Sequence, residues 1–552
     1  EVVASAEAVS GLFGKIGTLL DIGGEDSKMI IFDESGNADI RMNGNCAGGT
    51  GAFIDQMASL MSVQVEELSN LAADHTKIYP VASRCGVFAK TDVQNLLSRE
   101  IPKGDIAASI FNAVVTQVMN TLARGSSIKP PLLFSGGPLA FIPFLRDLFL
   151  KRIGLTESDA VIPEKPELFP AMGSAYYAKD NELSMTVSEL ISLITSSKES
   201  KTAGGGRLDP LFKSEEYFRK WYENRYMKVT RAVPELSENS DCFLGIDAGS
   251  TTTKIVVINK DGEIMAEYYR GNGGDHIVSV RSGLTEIQKK LASEGIRYHV
   301  KAVAVTGYGE DLVKSVFSAD FGIVETLAHL KSAQKISNGN VDFILDIGGQ
   351  DMKAMFVENG NVTNIEINEA CSSGCGSFIQ TFAVSLGLSV EEFANKGCSS
   401  KAPCDLGSRC TVFMNSKVKQ ALKEGAGIED ISAGLAFSVV RNSLYKVLKL
   451  KDMDEIGQNV ILQGGTFKNP CVQRAFEIIT GKKVVVPDIA GVMGAYGAAL
   501  NALEKWNENR DMVSEFTGFF SCTGELALKM KKTLIECKGC ENICSVTKMD
   551  MG

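Results

Sequence analysis

Apolar runs the length of a strand alternate along this chain with longer stretches of helical spacing, and glycine pairs punctuate them. Residues 1–15 read as a short helix. LDIGGEDSKMIIF (20–32) reads as strand, Gly-Gly turn and strand; Cys46 then stands at the mouth of AGGTGAFIDQM, a Gly-rich turn into a helix. Further helices are predicted over VEELSNLA (65–72), after Ser83-Arg84-Cys85, and over DIAASIFNAVVTQVMNTLARG (105–125). PLLFSGGP (131–138) is a buried strand running into a turn, and VIPEKPELFPAMGSAYYA (161–178) reads as strand, turn and helix. Strands alternating with helices predict an α/β sheet.

The pattern then returns. LDIGGQDMKAMFVENGNVTNIEINEACSSGCGSF (345–378) repeats LDIGGEDSKMIIFDESGNADIRMNGNCAGGTGAF (20–53). Asp21 and Asp346, Cys46 and Cys371, and Cys85 and Cys410 are each 325 positions apart. Fixed register over that distance is the mark of an internal duplication. Repeat one spans 1–180 and repeat two 241–507. Between them, 181–240 contains SSKESKTAGGG, a polar linker, and EEYFRKWYENRYMKV, an aromatic and charged helix expected to lie on a domain surface. Repeat two alone carries the lobe at 243–324, a β-meander followed by a strand and a Gly turn. Glu325 then opens a helix matching the segment at which the chain begins, so the sequence reads as a fragment whose first copy lacks its N-terminal lobe. The 508–552 tail holds Cys537, Cys540 and Cys544, a metal-like C-x2-C-x3-C spacing one ligand short.

A chain of 552 residues, 44% hydrophobic and 22% charged, has room for two to four globular domains. The net charge of −10, with no basic block against it, argues against nucleic acid or an anionic membrane as partner. No apolar run approaches the ~18–20 residues of a membrane span. Thirteen cysteines, an odd number, do not read as a disulfide framework. They fit a reducing, cytoplasmic setting with thiolates used as metal ligands.

Three glycine turns carry the first chemistry. In GIDAGSTTTK, Asp247 ends a strand, and Gly249, Ser250, Thr251, Thr252 and Thr253 offer small side chains, amides and hydroxyls beside Lys254. Such a turn lets backbone approach phosphate while hydroxyls and an ammonium complement its charge. Asp346, with Gly348, Gly349 and Gln350, forms a second such turn. Mg²⁺ on phosphate needs only one or two carboxylates, which Asp247 and Asp346 would supply. Gly464 and Gly465 form the third turn, against which a nucleoside could lie. One such turn is weak evidence, since any hairpin can carry it; three in this order resemble the actin, sugar-kinase and heat-shock-chaperone superfamily. That resemblance implies paired RNase-H-like lobes that clasp ATP.

The second chemistry is thiolate. Cys46 and Cys371 are each expected at a helix N-terminus, where the helix dipole favours an anion. In each repeat another cysteine follows 39 positions on, Cys85 and Cys410. Four thiolates suit a [4Fe–4S] cluster or a structural zinc. A single buried cysteine is usually a small core hydrophobe; duplication at equal spacing argues against that here.

NCAGGTGAF, SRCGVF, DIGGEDSK and GIDAGSTTTK resemble the ATP-dependent activators of 2-hydroxyacyl-CoA dehydratases and the ATPase subunits of benzoyl-CoA reductase. The resemblance covers 1–180 and 241–507, in a fused two-repeat form. It implies one [4Fe–4S] cluster held by Cys46, Cys85, Cys371 and Cys410. It also implies MgATP hydrolysis coupled to transfer of a low-potential electron to a dehydratase or reductase, from a donor such as ferredoxin or flavodoxin. A shift of ~300 mV for one electron needs about 7 kcal/mol, the scale of nucleotide hydrolysis. Cys375 stands where repeat one has Thr50 and is a competing ligand; Cys398 and Cys404 have no counterparts in repeat one and read as incidental. Two other classes are weighed: a small-molecule kinase of the same superfamily, which leaves the paired cysteines without a role and finds no clear substrate-binding lobe, and a binding module in which zinc staples two actin-like halves.

Overall fold

The structure, a computed structural model, describes all residues except 1, 34, 36, 44–45, 84, 99–100, 181–184, 201–205, 233–239, 274, 369–371, 409, 518–530, 537–544 and 551–552. It divides into two compact units, Glu1–Gly205 with Arg409–Glu424, and Gly206–Ser408 with Gly425–Gly552. Residues 409–424 belong in sequence to repeat two and in space to the first unit.

The first unit is built on β1 (Thr18–Ile22), β2 (Ser27–Phe32), β3 (Ala38–Asn43), β4 (Leu132–Ser135) and β5 (Ala160–Val161), in the order β3-β2-β1-β4-β5. Hairpins join the three antiparallel strands, whereas β4 and β5 run parallel to β1 after helical crossovers. The helix Lys103–Val118, extended by a wider turn through Ala123, is long and apolar enough to cross a membrane by length and composition. This corrects the expectation that no run approaches that length. Here Ile106, Ile110, Phe111, Val114 and Val118 are buried in the unit's core, as a central helix of an α/β layer requires.

The second unit has two sheets. β7 (Ser240–Ala248), β8 (Thr252–Asn259), β9 (Ile264–Gly271), β10 (Tyr298–Thr306) and β11 (Phe321–Gly322) form one, ordered β11-β10-β7-β8-β9. The other has β12 (Phe343–Ile347), β13 (Met352–Glu358), β14 (Asn361–Asn368), β15 (Val460–Gln463) and β16 (Val484–Pro487), ordered β14-β13-β12-β15-β16. Counted from its own first strand, each of the three sheets has the order 3-2-1-4-5, that of the RNase-H-like lobe. The fold is therefore α/β, of the actin, sugar-kinase and heat-shock-chaperone type, with duplicated ATPase domains. β6 (Tyr226–Met227) adds a sixth strand alongside β16. The predicted aromatic helix is Glu215–Asn224; Ser214 caps it, and Trp221 Nε1 donates to Glu477 at 3.0 Å. That helix packs as expected, and a further helix, Val187–Ser200, runs into the first residues of the stretch expected as linker.

Candidate nucleotide cleft and cysteine stations

The next-to-last residue of the first strand of each sheet is an aspartate that pairs across the hairpin with a lysine: Asp21 with Lys28, Asp247 with Lys254, Asp346 with Lys353. In the second unit two of these strand ends open on one cleft, lined by the turns at 249–252, 348–349 and 464–465 with Asp247, Lys254 and Asp346. Glycine is required where backbone must pass close. A Cβ at Gly494 would lie 2.7 Å from Asp247 Oδ2, and one at Gly464, whose φ is +93°, would lie 2.4 Å from the Ile347 carbonyl. Two predicted residues do not line the cleft. Thr253 is buried within β8, where alternation puts Thr252 and Lys254 on the opposite face. Gln350 is also absent from the lining, and Asp351 takes part instead.

The sequence reading missed Glu325, His329 and Tyr269, which also line the cleft, as do Ala490, Gly491 and Gly494. Glu325 and His329 lie one helical turn apart on Glu325–Ser337, a spacing that would have flagged them. His329 Nε2 lies 3.7 Å from Glu325 and its Nδ1 lies 3.8 Å from Asp346 Oδ1. Lys353 bonds Glu325 at 3.0 Å and pairs with Asp351. Burial pushes the Asp346 carboxyl above its ordinary range. Burial also opposes charge on His329, yet Asp346, Glu325 and Asp247 outweigh it and hold the imidazole protonated to higher pH. Lys254, 3.0 Å from Asp247 Oδ2, is likewise held charged by that carboxylate against its burial. Asp247 Oδ1, Asp346 Oδ1 and His329 Nδ1 are buried without hydrogen-bond partners. Two such carboxylate oxygens facing one cleft fit a hydrated divalent cation, the missing partner that buried polar groups require.

The counterpart in the first unit is closed. Asp21 accepts a short hydrogen bond from Ser135 Oγ, and Lys28 Nζ lies 3.6 Å away. Ser135 occupies the register position that Gln463 holds beside Asp346.

The glycine turns touch the cysteine stations. In repeat two, Gly376 and Ser377 N–H donate to the Gly348 and Gly349 carbonyls at 2.9 and 2.8 Å. In repeat one, Gly51 and Ala52 N–H donate to Gly23 and Gly24 at 2.9 and 2.7 Å. These donors open the helices Gly51–Met61 and Gly376–Ser385, whose N-caps are Thr50 and Cys375. Cys46 lies four residues before its cap, not at the helix terminus as expected. A Gly-rich turn intervenes, and Asn43 Nδ2 donates to the Cys46 and Gly48 carbonyls at 3.2 Å each. Cys371 falls outside the described residues, as do Cys537, Cys540 and Cys544. The second stations do sit at helix N-termini: Cys85 immediately precedes Gly86–Ser98, and Cys410 caps Thr411–Lys423.

Cys410 and Cys46 meet within the first unit. The Cys46 thiol hydrogen-bonds the Cys410 sulfur, and the Ala47, Val412 and Phe413 amides point at it; against its burial, Cys46 and these amides lower the Cys410 pKa to about 6. Ala47, Cys410, Val412 and Phe413 form a small buried cluster. A Cβ on Gly86, beside Cys85, would lie 2.9 Å from Val412. Among the described residues, no group of three or more His, Cys, Asp or Glu is disposed to hold a metal ion. The remaining cysteines have other surroundings. Cys375 is buried near Asn368; Cys398 and Cys471 pack sulfur to sulfur at 3.4 Å; Cys404 faces Arg207.

The chain is similar in sequence to known proteins. The (R)-2-hydroxyglutaryl-CoA dehydratase activating ATPase of Acidaminococcus fermentans is 33% identical over 267 residues, covering 48% of this chain and 97% of that protein. The 2-hydroxyisocaproyl-CoA dehydratase activator of Clostridioides difficile is 32% identical over 273 residues, 49% of this chain and 98% of that one. A solved structure of that activator with bound ADPNP covers 50% of this chain and 99% of its own, at 31% identity and a TM-score of 0.43. The BadF/BadG/BcrA/BcrD ATPase family matches residues 2–178 and 244–502. Both repeats are thus accounted for, and the chain belongs to the BadF/BadG/BcrA/BcrD ATPase family.

Proposed function

We propose that this chain is an ATP-hydrolysing iron–sulfur activator that delivers a low-potential electron to a 2-hydroxyacyl-CoA dehydratase, a reductase or a related double-cluster protein. One observation carries the reading: Cys46 of repeat one and Cys410 of repeat two lie side by side, with the Cys410 sulfur surrounded by hydrogen-bond donors. Its relatives include dehydratase activators, which supports the partner class. Such a chain would take its electron from a donor such as ferredoxin or flavodoxin.

In this reading Asp247 and Asp346 hold Mg²⁺, directly or through water, on the phosphates of ATP. The 249–252 and 348–349 turns supply amides and hydroxyls, Lys254 adds its charge, and the 464–465 turn backs the nucleoside. Cys46, Cys85, Cys371 and Cys410 would hold a [4Fe–4S] cluster, which when bound supplies a one-electron couple. The link between the halves of this chemistry is backbone. A shift of the Gly348–Gly349 turn as phosphate leaves is transmitted through two hydrogen bonds to the helix that follows Cys371.

Anaerobic purification tests the reading. Near four iron and four sulfide per chain, a brown colour, and loss of iron in Cys46→Ser and Cys371→Ser are expected. A colourless zinc protein, or iron retained in both variants, overturns the cluster. Transfer of phosphate from ATP to a small molecule would make the chain a kinase.

A further inference from the structure

We propose that Asn272 is the positioning residue of the phosphate turn: it holds the 249–251 carbonyls to one side, so that the amides of the turn stand ready for an anion on the other. The proposal rests on the nucleotide reading above. Asn272 follows the last residue of β9 and is 7% exposed. Its side-chain amide donates to the Gly249 carbonyl at 2.8 Å and to the Ser250 carbonyl at 3.1 Å. Its backbone N–H donates to the Thr251 carbonyl at 2.9 Å. One residue therefore binds three successive carbonyls of the turn between β7 and β8.

The consequence follows from peptide geometry. In a trans peptide the N–H points opposite to the C=O. Fixing the Gly249, Ser250 and Thr251 carbonyls toward Asn272 directs the Ser250, Thr251 and Thr252 N–H groups away from it. Residues 249–252 line the cleft that also holds Asp247 and Asp346. Successive amides aimed one way form a concavity for an anion. A turn built from glycine and hydroxyl residues is otherwise free to rotate its peptides, and ordering them on binding would cost affinity. Asn272 is held in turn, since its carbonyl accepts from Asp275 N–H at 3.0 Å, and Asp275 caps the helix His276–Ser293. The ligand class is the polyphosphate of a nucleotide, and the residue acts through the backbone without touching it.

The test uses the full chain purified anaerobically, with Asn272→Asp, which keeps the shape and removes both donors, and Asn272→Ser, which keeps one. Two measurements are made. In nucleotide-free protein, backbone ¹⁵N order parameters across 250–252 should fall from about 0.85 to below about 0.6 in Asn272→Asp, with β10 and β12 unchanged. Affinity for ADP should fall at least tenfold, while adenosine, measured by competition against a fluorescent ADP analogue, changes less than twofold; Asn272→Ser should fall between. Equal losses for ADP and adenosine, or order parameters that fall throughout the unit, would mean a general structural role and overturn the proposal. Unchanged order parameters and affinity overturn it as well. Absence of ADP binding in the unsubstituted chain defeats the nucleotide reading instead, and the relaxation measurement still decides whether Asn272 orders the turn.

Discussion

Single residues set the chemistry through what surrounds them. Cys46 and three amides bring the Cys410 thiol down to about 6 from an ordinary value near 9, against its burial. Thiolate absorbance should therefore titrate near pH 6 and move upward in Cys46→Ala; a midpoint near 9 in the unsubstituted protein would contradict this. The linkage has a definite sign. A folded pKa below the unfolded one contributes stability that is fully present above about pH 9 and is lost as pH falls through 6. Asp346 presents the reverse case, a carboxyl that burial pushes up further than His329 and Lys353 bring it down. Asp346→Asn should lower ATP hydrolysis by about 100-fold or more while leaving the nucleotide-free protein as stable or about 1 kcal/mol more so. A parallel fall in melting temperature and activity would show that the carboxylate is structural.

At the scale of elements, one hairpin recurs three times with its Asp–Lys pair, and the protein differentiates the copies by their neighbours. The third strand of each sheet ends at or beside an asparagine: Asn43, Asn272, Asn368. Asn43 secures the Cys46 loop and Asn272 the turn between β7 and β8, so the same corner holds two different loops. Gly136 and Gly464 also correspond; each has positive φ, and a Cβ would fall 2.1 and 2.4 Å from the Ile22 and Ile347 carbonyls. Gly136→Ala and Gly464→Ala should each cost about 1–3 kcal/mol by denaturant melts. Only Gly464→Ala should also raise the KM for ATP, because only its turn lines the cleft. A comparable rise in Gly136→Ala would mean that the first unit takes part in nucleotide binding.

For the whole molecule, the duplicated hairpins differ in what surrounds their aspartates. Asp21 is held by Ser135 and Lys28, whereas Asp247 Oδ1 and Asp346 Oδ1 each lack a hydrogen-bond partner. Calorimetry should accordingly find one MgATP per chain, abolished by Asp247→Asn. Two equivalent sites would require the Asp21 hairpin to open. The interleaving of 409–424 with the first unit brings a repeat-two cysteine to a repeat-one cysteine. Spacing alone allowed that pairing without selecting it, because the four positions carry no record of which will be neighbours.

The chain's own order of residues determined the hairpins, the glycine turns and the equal spacing of the cysteines, because strand alternation and tight turns depend on neighbours a few positions away. Its D-x6-K spacing at 21, 247 and 346 was legible too, and a helical turn between Glu325 and His329. Only tertiary structure decided that Thr253 faces away from the cleft, that Cys46 stands clear of its helix, and which aspartate a serine holds. Those outcomes depend on burial and on pairings between residues far apart in sequence, such as Asp21 with Ser135 and Cys46 with Cys410, and no local pattern encodes them.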